Sequence, residues 1–138
     1  MKPLTTTKLT AVMSVAATVS QPGIAATDSV TQLLNQYRTE AGVAEFSAER
    51  GQELWTTAVL VEGDGRRCGS CHTDDLQTQG KHQKTNKPIA ALAPSVNSKR
   101  LQKTKTIQKW LKRNCKWTFG RECSAQEKGD LLSWISQQ

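Results

Sequence analysis

Apolar residues recur at helical spacing in four stretches of this chain, and glycine, proline and polar residues separate them. In residues 28–41, Val30, Leu33, Leu34 and Tyr37 share one face, Asp28 or Ser29 is placed to cap the start, and Gly42 ends the run. Ser47 opens a second helix with Glu49 in its first turn, where the helix dipole favours an anion. Leu54, Trp55, Ala58 and Val59 follow along one side, and this helix is expected to run out by Gly63. Gly51 inside it costs about 1 kcal/mol relative to alanine and marks close approach of another helix. A third helix starts at Thr104 or Thr106, carries Ile107, Trp110 and Leu111, and is expected to stop around Asn114-Cys115. Ser124 and Glu127 form a capping box for the last helix, whose apolar face is Leu131, Leu132, Trp134 and Ile135. Between these lie a turn at Gly63-Asp64-Gly65 and a polar stretch, 74–94, with Gly80, Asn86, Pro88, Pro94 and little periodicity. A segment of that length reads as a loop packed against something other than the helices.

Cys68-Gly69-Ser70-Cys71-His72 supplies that something. Two thiols three residues apart, with an imidazole directly after the second, form a c-type haem attachment pattern. Each thiol can add across one vinyl group of a porphyrin, and one helical turn then presents His72 to the iron as proximal ligand. A zinc half-site or a plain disulfide are the competing readings. Zinc would need a second Cys/His cluster, and the sequence offers none.

The start of the chain reads as an export signal. Lys2 and Lys8 precede a short apolar run, 9–19, and Ile24-Ala25-Ala26 offers small residues for cleavage. Residues 1–26 are therefore expected to be a signal peptide and 27–138 a single soluble domain in the periplasm, with no membrane insertion. Export into an oxidising compartment bears on Cys115 and Cys123, the two cysteines that haem does not use, which are expected to form a disulfide. The net charge of +7 is uneven: residues 27–80 hold nine acids and four bases, residues 81–138 three acids and thirteen bases. In an exported protein this basic half fits an acidic redox partner rather than nucleic acid, with a simply solvated face as the plain alternative.

Helix, haem motif, long loop, short helix and a C-terminal helix bearing an aromatic follow the order of a class I cytochrome c, an all-α fold around one covalent haem. Gly51 and Trp55 resemble the glycine and aromatic with which that fold's N-terminal helix crosses the C-terminal one near Trp134. Such proteins commonly place a methionine on the far side of the iron. Here Met1 and Met13 both fall in the leader, so residues 27–138 contain none. From the residues alone the sixth ligand stays open between His82, a lysine amine, water or an empty position.

The runs Trp110-Leu111-Lys112-Arg113-Asn114-Cys115, Gly120-Arg121-Glu122-Cys123 and Glu127 to Trp134, with Leu92-Ala93-Pro94-Ser95 earlier, resemble the sphaeroides haem protein family of high-spin cytochromes c. That resemblance implies Asn114, the residue before the first cysteine of the disulfide loop, as distal ligand of ferric iron; the plain reading of Asn114 is a helix C-terminal residue. It further implies one haem c, an electron donor such as a dihaem c-type cytochrome, and binding of O2, NO or CO at the position that Asn114 leaves on reduction. The alternative is a closed electron carrier with His82 or a lysine as sixth ligand. Turnover of NO, O2 or another small nitrogen species, and ligand sensing or storage, are further classes for which the sequence supplies no dedicated acid–base pair or signalling segment.

Overall fold

The computed structural model describes residues 26–138; the expected signal peptide lies outside them, apart from Ala26. Helix α1 spans Asp28–Ala41 and closes on Gly42, whose φ of 67° is the left-handed conformation that glycine adopts without strain. Its cap is Thr27, one residue before the candidates read from the sequence, and the Thr27 hydroxyl accepts from the Val30 N–H while donating to the Leu101 carbonyl. Helix α2 spans Ala48–Thr56 behind the Ser47 cap.

The chain then departs from the sequence reading. Instead of continuing toward Gly63, it forms an antiparallel hairpin of β1 (Val59–Val61) and β2 (Asp64–Arg66). The β-branched residues Thr57, Val59 and Val61 favour extended backbone, and a short apolar run satisfies either period. A four-residue helix, α3 (Gly69–His72), carries the cysteine–histidine motif, and the stretch beyond it holds a two-residue pairing of β3 (Gly80–Lys81) with β4 (Pro88–Ile89). Helix α4 spans Thr104–Phe119 and α5 spans Ala125–Ile135. The described residues are thus predominantly helical, with two small hairpins.

Helix α4 also outruns its expected end. Ile107, Leu111, Cys115 and Thr118 continue one stripe past Asn114, and the helix closes at Gly120, φ 69°, whose N–H bonds to the Lys116 carbonyl. Asn114 therefore sits inside the helix and is not its terminal residue.

Helices α1, α4 and α5 share a core of Val30, Leu33, Tyr37, Ile107 and Leu132. Burial of one such leucine stabilises the fold by roughly 1.5–3 kcal/mol. Helix α2 crosses α5 at Gly51, where an added Cβ would lie 2.2 Å from the Asp130 carbonyl oxygen. The buried Asp130 carboxylate fastens the same crossing: it accepts from the Ser47 N–H at 2.7 Å and from Arg50 Nε at 2.9 Å. The expected capping box is present, with Glu127 also receiving two 2.7 Å bonds from the Arg121 guanidinium.

Those donors, Arg121 first, hold the Glu127 carboxyl down at about 2, against an ordinary 4.5. A depressed carboxyl stabilises the fold fully above its unfolded pKa and loses that contribution as pH falls through the folded one. Between pH of about 4.5 and 2, the melting temperature of the native protein should therefore fall toward that of Glu127→Gln. Melting curves that stay parallel across this range would show that the ion pair adds no pH-dependent stability.

Candidate functional site

Helix α3 stops after one turn at its C-terminal end: Thr73 turns to φ 65° directly after His72, and the Thr73 N–H bonds back to the Gly69 carbonyl. This single turn is clamped on two sides. Trp55 of α2 donates its indole N–H to the Thr73 carbonyl at 2.9 Å, and its ring lies 5.5 Å from the His72 imidazole and 5.3 Å from Trp134. From the other side Gly80 of β3 rests on the motif's backbone, where a Cβ would come within 2.1 Å of the Cys71 carbonyl oxygen. No hydrophobic period flags Gly80, and only this contact accounts for it.

Cys68, Cys71 and His72 open into one cavity of about 520 Å³. Helix α4 gives it a wall, with Ile107, Trp110, Leu111, Asn114, Trp117 and Thr118 recurring at helical spacing, while Leu131, Leu132 and Ile135 of α5 close it further. Trp110 and Leu111, one helical turn before Asn114, both belong to this lining. Trp117 and Thr118 escape sequence reasoning because a helix taken to end near Asn114 has no further turn to offer, and Arg100 and Arg113 because each looks like one more surface charge in a basic run. Among the described residues, no hydrogen bond engages the Asn114 amide. His82 also borders the cavity, but it is exposed and its Nδ1 accepts from the Lys84 and Thr85 N–H groups of its own turn, each at 3.3 Å.

The electrostatics suit the motif. Burial, reinforced by the charge of Arg100, pushes the His72 pKa down to about 4, so the imidazole is neutral and has a lone pair to give. Burial pushes the Cys68 thiol up to about 11, against the smaller pull of its contact with the Thr118 hydroxyl. Cys115 and Cys123 form the expected disulfide, Cα–Cα 5.6 Å, joining the last turns of α4 to the segment before α5. Cys68 and Cys71 are not bonded to each other, and among the described residues no group of three or more Cys, His, Asp or Glu is placed to hold a metal ion. Neither the plain-disulfide reading nor the zinc reading of the motif finds support.

The lining also tests what the cavity can hold. It is mainly apolar, carries Lys84, Lys87, Lys99, Arg100, Lys103 and Arg113, and includes no aspartate or glutamate. A flat apolar group with two carboxylates and two vinyl attachment points matches that set of residues, and so haem fits.

Comparison with known proteins agrees. A family model described as a domain of unknown function, DUF1924, matches residues 41–135. Over 131 residues the chain is 37% identical to the cytochrome c-type protein SHP of Cereibacter sphaeroides, covering 94% of this chain and 100% of that protein. The chain belongs to the SHP family of c-type cytochromes. The structure of oxidised SHP, described as an oxygen binding cytochrome c, superposes with a TM-score of 0.74 at 36% identity, covering 83% of this chain and 100% of that one. Oxidised cytochrome c'' of Methylophilus methylotrophus follows at 0.72 and 25% identity, over 80% of this chain and 94% of that one. The fold is that of a class I cytochrome c, and the cofactor of this SHP-family protein is a covalently attached haem c. No helix among the described residues is long and apolar enough to cross a membrane.

Proposed function

We propose that this monohaem cytochrome receives electrons and, once reduced, binds a diatomic ligand at a position that Asn114 occupies in the ferric state. Cys68 and Cys71 hold the haem through thioethers and His72 is the proximal ligand. Bound there, haem supplies a one-electron redox centre with one coordination position open to exchange. The observation that carries the reading is Asn114 itself: it stands on the cavity stripe of α4, its amide free of hydrogen bonds to the described residues, in a domain without methionine. An amide oxygen is a hard, weak donor that suits ferric better than ferrous iron. Because Asn114 lies inside α4 next to the Cys115–Cys123 bridge, its backbone is held, and only side-chain rotation is left to clear the site.

The description of SHP as oxygen binding, and that of cytochrome c'' as a case of haem-ligand detachment, support the same reading. The cavity lining has no carboxylate to move a proton, which favours electron transfer and ligand binding over turnover. The donor is an acidic periplasmic protein, such as a dihaem c-type cytochrome. Lys105, Lys109, Lys112 and Lys116 form an exposed stripe at helical spacing along α4, the helix that bears Asn114. Lys112 and Lys116 pair with Glu122 at 3.3 and 3.4 Å, which leaves Lys105 and Lys109 for a partner.

Mixing the dithionite-reduced protein with CO is the test. Prompt binding in one phase is expected. A reduced spectrum indifferent to CO would favour the closed electron carrier with His82 or a lysine bound.

A further inference from the structure

Of the six cations around the cavity, five are exposed and free to be neutralised by water and salt. Arg100 differs. It is partly buried, and its guanidinium is anchored by donation from Nε to the Ala91 carbonyl at 2.9 Å and from Nη2 to the Ala90 carbonyl at 2.5 Å. Both acceptors are neutral. Among the described residues no carboxylate pairs with Arg100, and Nη1 has no acceptor. Ala90 and Ala91 lie at the end of the β3–β4 segment, so the anchoring fixes the guanidinium in the cavity wall.

A half-buried guanidinium held by neutral carbonyls is an unbalanced charge, and burial of an unbalanced charge is costly unless an anion joins it. The cavity lining offers no such anion from the chain, whereas the haem brings two carboxylates. A guanidinium is also the side chain best shaped to donate twice to one carboxylate.

We propose that Arg100 is the residue that clamps a haem carboxylate in this cytochrome, and that its fixed positive charge raises the iron's reduction potential. A positive charge beside the ring opposes the extra positive charge of the ferric state and so favours the ferrous one. The two backbone bonds keep the clamp in place in both redox states. Arg100 is thus a positioning and tuning residue, and its role rests on haem occupying the cavity rather than on the Asn114 assignment.

The test compares Arg100→Gln, Arg100→Lys and Lys99→Gln in the haem-loaded protein, by redox titration and by the resonance Raman band of haem carboxylate bending. Arg100→Gln should lower the midpoint potential and shift the carboxylate band. Arg100→Lys keeps the charge without the fork, and should shift the band while leaving the potential close to wild type. Lys99→Gln removes the same charge one residue away from an exposed position and should move neither. Equal falls in potential for Arg100→Gln and Lys99→Gln would overturn the clamp in favour of a diffuse surface field. An unmoved potential and band in both Arg100 variants, with only a lower melting temperature, would reduce Arg100 to a staple for the Ala90–Ala91 backbone. If Arg100→Gln does not fold, the Arg100→Lys band shift decides alone. A protein that carries no haem at all would fail the haem reading before this one is reached.

Discussion

Replacing Asn114 by valine is expected to convert the ferric haem to a five-coordinate or water-bound high-spin state, while the CO complex of the reduced protein stays nearly unchanged. Valine is close in size and fills the same part of the α4 stripe, but it offers no oxygen. The helix itself should tolerate the change: Asn114 makes no hydrogen bond with its amide, and the two residues differ little in helix propensity. Stability should move by well under about 1 kcal/mol. The effect is therefore spectral, visible in the charge-transfer region of the ferric spectrum, and separable from any unfolding. A ferric spectrum identical to wild type would defeat the ligand assignment and turn attention to His82.

The largest loss of stability is expected at Gly51. An alanine Cβ there would stand 2.2 Å from the Asp130 carbonyl oxygen, 2.7 Å from its carbon and 2.9 Å from the Trp134 Cβ. Two of these are backbone atoms of a helix, so no rotamer can relieve the clash, and α2 must move away from α5. Gly51→Ala should destabilise by on the order of 3 kcal/mol, at the upper end of overpacking costs, despite the better helix propensity of alanine. The displacement would travel to the site, because Trp55 of α2 packs at a tilt between Trp134 of α5 and His72. Gly65→Ala serves as control: its Cβ meets nothing within 4 Å, and the variant should melt close to wild type. Equal melting temperatures for both variants, measured by circular dichroism, would mean that α2 and α5 are free to separate at this crossing.

The haem motif, the crossing at Gly51 and the Ser124–Glu127 cap were legible because each is local. Cys68, Cys71 and His72 carry their chemistry in their spacing, a glycine inside an amphipathic helix points to a neighbouring backbone, and a capping box is complete within four residues. The disulfide was legible from compartment and counting. Element ends were not. Val59-Leu60-Val61 satisfies helix and strand alike until its pairing with Asp64–Arg66 is formed, and the hairpin packs against α4, which is distant in sequence. The end of α4 was masked by Asn114, a residue that commonly closes helices, whereas Gly120 is the closing residue. Arg100 left no trace in the sequence. In a run with Lys99 and Lys103 it looks like one more surface charge, and only its bonds to the Ala90 and Ala91 carbonyls set it apart.

The central claim, that the distal position opens on reduction, is tested most directly by the visible and near-infrared spectra of the wild-type protein before and after dithionite, with no ligand added. A six-coordinate ferric form that becomes a high-spin, five-coordinate ferrous form is the expected result. A sharp low-spin ferrous spectrum would show that a second strong ligand stays on the iron, and it would contradict gating by Asn114.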